Sequence, residues 1–274
     1  MTDNIFQAGN DTTALLGQIA GQIKSSLGNI QSALNRIAPV EDRESDGRLD
    51  RDAAVLLKSY YQIMRLANNL EEASTLDDPP FLRLENRDVV AFCREIVDKA
   101  AFCAQMMEVE LTFTSEREKH VVQMDPDALE RLVLNLLSNA LKFTPAKGTV
   151  AVELHFGRQV ELHVVDTGRG IPPEKMDTVF SRYRVGGRME PPPYGLGLGL
   201  TICRKIAADH GGALLLNSRK DGGTRVVLSL PDKQMEDPAG CKTIRMDYTG
   251  GHNRALVELA DVMPVDGFGY AYLD

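Results

Sequence analysis

Near the start of the chain, apolar residues recur at alternating spacings of three and four in two stretches. Within residues 14–38 they are Ala20, Ile23, Leu27, Ile30, Leu34 and Ile37; in the second stretch they are Leu49, Ala53, Leu56, Tyr60, Ile63, Ala67 and Leu70. That spacing predicts two helices, each with a narrow apolar seam. Pro39 and the charged run from Glu41 to Gly47 interrupt the pattern and predict a short polar turn, hence an antiparallel hairpin. A lone hairpin buries too little surface to stand by itself. It must pack on its own domain, on a copy of itself, or on both. A four-helix bundle from two chains satisfies both seams, so residues 14–76 predict a homodimer.

After the linker Asp77–Pro80 the texture changes. Residues 86–106 predict a helix, Val109–Ser115 and Lys119–Met124 strands, and Asp127–Lys142 a long helix opened by Asp125-Pro126. Two alternating runs, Thr149–Phe156 and Gln159–Val165, join at Gly157-Arg158 like a hairpin. Beyond a glycine- and proline-rich stretch come a helix at Leu200–His210 and strands at Ala213–Ser218 and Thr224–Leu230. No regular βαβ alternation appears. The expectation is an α+β chain: a helical hairpin at 1–76, a two-layer α/β sandwich with a mixed, largely antiparallel sheet at 81–232, and an extension at 233–274. That extension has an apolar run at Ala255–Val262 and Phe268, Tyr270 and Tyr272 among glycines. It is expected to cover an exposed face of the sheet or the helices. His252 has no second metal ligand nearby, which argues against a metal site there.

Composition narrows the function. The net charge of −8 argues against a nucleic-acid binder that works by phosphate neutralisation. No apolar stretch is long enough to span a membrane, and the polar N-terminus lacks the form of a secretory signal. Cys93, Cys103, Cys203 and Cys241 form no CxxC pair and suit reduced, packed thiols, so a cytoplasmic protein is expected.

Three segments carry candidate chemistry. Asn135 and Asn139 stand four apart on a predicted helix and share a face, with Lys142 one turn on. Amide oxygens suit Mg²⁺, and Lys142 could reach phosphates on the same ligand; ordinary decoration of a polar helix face reads equally well. Asp166-Thr-Gly168-Arg-Gly170-Ile171 follows a predicted strand. A carboxylate there, with glycines that let the backbone come close, suits an exocyclic base amine, though Asp-x-Gly turns are common. Gly195-Leu-Gly197-Leu198-Gly199-Leu200 opens a helix and offers backbone N–H groups to phosphates. It follows no strand, so it is not a dinucleotide fingerprint.

In order and spacing, these boxes together with Val179-Phe180-Ser181-Arg182-Tyr183 resemble the ATP-binding fold shared by gyrase, heat-shock chaperones and histidine kinases. The resemblance implies ATP and Mg²⁺ as ligands. Asp166 would hold the adenine amine, and Asn139 with Asn135 would place Mg²⁺. Lys142 and the amides of Gly197 and Gly199 would contact phosphates, and Arg182–Leu196 would form a mobile lid. The implied binding set also takes in Phe143, Gly168, Gly170, Ile171, Phe180, Arg182, Gly195, Leu198, Leu200 and Thr224. ATP-hydrolysing members resembling gyrase carry glutamate at the position of Asn135, whereas histidine kinases carry Asn, as here. The upstream hairpin resembles the dimerisation and phosphotransfer domain of histidine kinases, including Leu66–Glu72 in its second helix.

One departure matters. The family's first helix carries His-Glu-x-x-Thr-Pro-Leu, and the best match is Gly21-Gln22-Ile23-Lys24-Ser25-Ser26-Leu27. Gly21 and Gln22 therefore occupy the acceptor and base positions. The five histidines, at 120, 155, 163, 210 and 252, all lie outside the hairpin. Neither glycine nor glutamine can act as the nucleophile. The expectation is an ATP–Mg-binding, two-component-type signalling protein unable to phosphorylate itself at the usual place, whose partner is a response regulator or another signalling protein. The competing readings are a kinase acting on a residue of a partner protein, as anti-sigma serine kinases do, and a dimeric scaffold without catalysis.

Overall fold

A computed structural model describes residues 2–176, 179–180, 197–218, 222–234 and 253–272. They fall into two compact units, one within Met1–Asp78 and Tyr248–Asp274, the other within Pro79–Asp247.

The first unit opens with α1 (Thr2–Ile37), α2 (Val40–Ser45) and α3 (Gly47–Ser74). The expected polar turn is in part a helix. Pro39 supplies an extended N-cap and Glu41 and Asp42 fill the first turn, so α2 forms before Asp46 breaks it. Asp46 then caps α3, its side chain accepting from the N–H groups of Arg48 and Leu49. Helices α1 and α3 pack together as the seams require. Ala20, Leu27, Leu34, Ala53, Tyr60 and Ala67 are buried, whereas Ile30, Ile37, Leu56 and Ile63 remain 42–74% exposed. The alternating positions thus split into one set buried within the hairpin and one left open. Tyr60 donates to Gln31 Oε1 (2.9 Å), and Lys24 pairs with Glu71 across the two helices.

The second unit begins with β1 (Glu85–Asp88), where a helix was expected. These four residues are polar and carry no strand period; they become a strand by pairing antiparallel with β3 (Val121–Met124). Helix α4 (Val89–Met106) starts one residue later, capped by Asp88. The main sheet holds β2 (Glu110–Ser115), β4 (Thr149–Phe156), β5 (Gln159–Asp166), β6 (Ala213–Ser218) and β7 (Thr224–Pro231). Their order is β2-β4-β5-β7-β6, parallel between β2 and β4 and antiparallel elsewhere. Helix α5 (Pro126–Phe143), the short α6 (Pro173–Met176) and α7 (Gly199–Asp209) complete the unit.

Val150, Val152, Leu154, Val160, Leu162, Val164 and Leu228 are buried toward the helices, against Leu129, Leu132, Val133, Leu136 and Leu137 of α5. The alternate residues of β4 and β5 stay partly exposed on the other face. This is a two-layer sandwich with one open face, as an antiparallel sheet permits. Asp125 caps α5 through the N–H groups of Asp127 and Ala128, with Pro126 in the first turn.

The last described segment returns to the first unit. Helix α8 (Arg254–Leu259), capped by Asn253, and two 3₁₀ turns at Val265–Phe268 and Tyr270–Tyr272 pack on the hairpin. Phe268 is fully buried, its ring 5.7 Å from that of Tyr61. Arg43 donates to Asp50 Oδ1 (2.8 Å) and to the Phe268 carbonyl (2.9 Å), and the Tyr270 N–H donates to Asp50 Oδ1 (3.0 Å). Arg65 donates to Asp261 Oδ2 (2.7 Å) and lies 3.4 Å from Glu258, which is fully buried. The face covered by the extension is therefore that of the helices. Among the described residues no helix is long and apolar enough to cross a membrane.

Candidate functional site

A cavity of about 300 Å³ opens between α5, the end of β5 and the start of β7. Leu136, Ala140, Val164, Leu216 and Val226 give it an apolar floor, and Asn139, Phe143, Asp166, Arg169, Gly170, Ile171, Pro172, Leu200 and Thr224 complete the wall. An apolar slot with a few convergent polar groups is the form of a small-molecule site.

Asp166 is the last residue of β5 and stands opposite Thr224 in the ladder. Its Oδ1 accepts from the N–H groups of Gly168 (2.8 Å) and Thr224 (3.2 Å). No partner reaches Oδ2 among the described residues, which leaves one acceptor for a ligand. Burial raises the Asp166 pKa above its ordinary value, opposed by those two N–H donors. The loop after it is fixed by glycine. Gly170 has φ +65, in the left-handed region where a side chain is strained. Ser218 braces this loop, accepting from the Ile171 N–H (2.8 Å) and donating to the Gly223 carbonyl (2.8 Å).

On the helical side, Asn139 reaches the cavity and Asn135 does not. Asn135 is only 3% exposed, and its Oδ1 accepts from Asn139 Nδ2 (3.2 Å). The first turn of α7 closes behind it: a Cβ on Gly199 would stand 2.6 Å from Asn135 Oδ1. Asn139 Oδ1, with no partner among the described residues, is the amide oxygen free to hold a cation. Lys142 lies outside the cavity wall, its Nζ 5.8 Å from the centre of the Phe143 ring, while the Arg169 guanidinium lies 4.8 Å from that ring. Leu198 is buried where α7 starts, and Gly197 precedes it with φ +70. Thr201 donates to the Phe180 carbonyl (3.0 Å), which ties residue 180 to α7. Arg182, Gly195 and the expected lid Arg182–Leu196 lie outside the described residues, as does His252.

Of the motif residues the structure describes, Asn139, Phe143, Asp166, Gly170, Ile171, Leu200 and Thr224 line one cleft, whereas Asn135, Lys142, Gly168, Phe180, Gly197, Leu198 and Gly199 are not on its wall. Sequence reasoning missed the apolar floor and Ser218. Leu136 was within reach, one helical turn before Asn139 on the same face. Ser218 carries no local signal. The arrangement suits a planar, amine-bearing heterocycle laid on apolar side chains with its amine toward Asp166. Anionic groups would then extend toward Asn139 and the N-terminus of α7.

In the acceptor region, Gly21 and Gln22 are exposed on α1, and a Cβ on Gly21 would meet nothing within 4 Å. Ser26 donates back to the Gln22 carbonyl (3.0 Å).

Residues 124–234 match the family described as histidine kinase-, DNA gyrase B-, and HSP90-like ATPase. Over 111 residues the chain is 44% identical to the histidine protein kinase DivJ of Caulobacter vibrioides, covering 40% of this chain and 19% of that protein. It is 28% identical over 229 residues to the sensor histidine kinase ZraS of Escherichia coli K12, covering 82% of this chain and 48% of that one. The chain therefore spans at most about half the length of these relatives. The fold is shared with full-length ShkA solved in complex with AMPPNP, at a TM-score of 0.60 and 22% identity over 80% of this chain and 47% of that chain.

Proposed function

With residues 124–234 forming an ATPase domain of the histidine kinase, gyrase and HSP90 superfamily, of the kind found in two-component sensor kinases, we propose that this chain binds ATP–Mg²⁺ in the Asp166 cavity without transferring phosphate to its own first helix. The observation that carries the reading is the half-satisfied Asp166 carboxylate above an apolar floor. Its remaining oxygen accepts from the adenine amine, and Phe143, Ile171 and Leu216 line the space the ring would fill. Asn139 Oδ1 would hold Mg²⁺, with Asn135 positioning Asn139 through their mutual hydrogen bond. The cation, when bound, offsets phosphate charge. Lys142 and the amides of Gly197 and Gly199 serve the phosphates. Asn135 stands where a water-activating glutamate would be needed, so bound ATP hydrolyses slowly.

The hairpin then acts as a dimerisation and partner-contact element. Ile30, Ile37, Leu56 and Ile63, all substantially exposed, support a homodimer through residues 14–76. Gly21 supports the absence of an acceptor, because no imidazole exists between residues 1 and 119. The partner is a response regulator or another signalling protein. The buried thiols of Cys93, Cys103 and Cys203, which form no disulfide, fit a reducing, cytoplasmic setting.

Titration calorimetry with ATP–Mg²⁺ and with inosine triphosphate tests the binding mode. Inosine carries a carbonyl in place of the amine and sets an acceptor against the Asp166 carboxylate. ATP should bind about 100-fold more tightly. Equal affinities, or none for ATP, would sink the assignment.

A further inference from the structure

On the face of the sheet opposite the helices, β4 and β5 bring together a second group of reactive side chains. Antiparallel register sets Glu153 beside His163 and His155 beside Glu161. The two imidazole rings are 4.6 Å apart. One ligand atom each from Glu153, His155 and His163 lies within 4.8 Å of the others, and among the described residues this is the one place where three such side chains meet. None of them lines the Asp166 cavity. Strand alternation sends Asp166 inward and His163 outward from the same strand.

The hydrogen bonding around these rings has the form of a metal site with its outer shell. His155 Nδ1 is 2.7 Å from Glu116 Oε1, and its Nε2 is 3.5 Å from Glu153 Oε2. Glu116 and Glu153 raise the His155 pKa by accepting from the two nitrogens of the protonated ring. A metal ion would take the place of the Nε2 proton, because the electron pair left on Nε2 faces a carboxylate that cannot donate to it. His163 Nε2 lies 3.0 Å from Glu161 Oε2, while its Nδ1 is buried with no hydrogen-bond partner. Three carboxylates around two imidazoles leave excess negative charge in the cluster. A cation shared by the three side chains would use the idle electron pair and offset that charge. Metal-ligating histidines characteristically give their second nitrogen to a carboxylate, as His155 does to Glu116.

Two imidazoles and one carboxylate select zinc and its neighbours over Mg²⁺ or Ca²⁺, which prefer oxygen alone. Tetrahedral ligands about 2.0 Å from zinc stand about 3.3 Å apart. The Glu153–His155 pair at 3.5 Å is nearly there, and side-chain rotation closes the rest on a backbone held by the β4–β5 ladder. We propose that Glu153, His155 and His163 form a zinc-binding site on the open face of the sheet, with Glu116 fixing the His155 tautomer and water as the fourth ligand.

The test uses the full chain, stripped with a chelator and dialysed, then titrated with zinc chloride alone in a calorimeter and with cobalt chloride in a spectrophotometer. One equivalent of zinc should bind with micromolar affinity or tighter, and cobalt should give the visible absorption of a four-coordinate centre. His155→Gln and His163→Gln should abolish the cobalt band, and Glu116→Gln should weaken zinc about 10–100-fold. His120→Gln, outside the cluster, should leave both signals unchanged. Circular dichroism of each variant shows that the fold persists. Absence of zinc binding by the wild type, or zinc affinity unchanged in the His155→Gln, His163→Gln double variant, would overturn the proposal.

Discussion

A Cβ placed on Gly199 would stand 2.6 Å from Asn135 Oδ1, so the first turn of α7 and the middle of α5 meet with no room for a side chain. The same oxygen accepts from Asn139. One amide therefore sets both the close approach of the helix start and the direction of the side chain in the cavity. Gly199→Ala forces Asn135 aside in a buried setting and should cost about 1–3 kcal/mol. That outweighs the gain of about 1 kcal/mol that alanine brings to a helix. Chemical denaturation measures it, and stability equal to or above wild type would show that the contact is slack.

Asp166→Asn should divide binding from stability. The Gly168 and Thr224 N–H groups can still bond an amide oxygen, but the NH₂ then faces the ligand amine, and ATP affinity should fall about 100-fold. Burial raises the folded pKa of Asp166, so its contribution to stability is greatest when it is protonated and is lost as pH rises through the folded pKa. Ligand-free Asp166→Asn should therefore melt above wild type at pH 7, and the gap should narrow toward pH 4. A variant less stable at pH 7 but with full ATP affinity contradicts both roles.

His210 ties the end of α7 to the start of α5. Its Nε2 accepts from the Asp125 N–H (3.1 Å), and its Nδ1 donates to the Ile206 carbonyl (2.7 Å), a pattern that requires neutral imidazole. Burial lowers its pKa below the ordinary value. Its contribution to stability is thus full above the unfolded pKa of about 6.5 and is lost as pH falls toward the folded pKa. Thermal melts between pH 7.5 and 5 should drop more steeply for wild type than for His210→Gln, which cannot charge. Parallel curves would remove His210 from the account.

Much of this architecture could be read from the chain. The spacing of Leu27, Leu34, Ala53 and Tyr60 announces two packed helices because burial itself imposes the period. Asp125-Pro126 announces α5 because a cap and a first-turn proline act locally. The misses share a cause. Glu85–Asp88 is a strand through pairing with Val121–Met124, and no apolar alternation records that. The docking of α8 on α3 depends on Arg65 meeting Glu258 and Asp261 almost 200 residues away. The motif residues of the cleft were legible, whereas its apolar floor looked like ordinary core. Glu153, His155 and His163 become a group only when the β4–β5 register is counted across the turn at Gly157.

Arg65 gives the extension a direct test. It is nearly buried against a fully buried Glu258, and removing one partner strands the other charge. Arg65→Ala should cost the hairpin unit about 3–5 kcal/mol. Denaturation of the variant checks this, and a loss below about 1 kcal/mol, the worth of a surface pair, would mean the contact is dispensable.

The central claim is that the chain holds ATP but lacks an acceptor in its first helix. Incubating the full chain with γ-labelled ATP and Mg²⁺, then assaying acid-labile and acid-stable label on the protein, tests it most directly. Wild type should retain intact nucleotide and carry no acid-labile label. The Gly21→His, Gln22→Glu variant is the positive control, since a Cβ at Gly21 would meet nothing within 4 Å; it should gain acid-labile label. Acid-labile label on wild type within minutes would contradict the account and assign the acceptor role to one of the five histidines outside the hairpin.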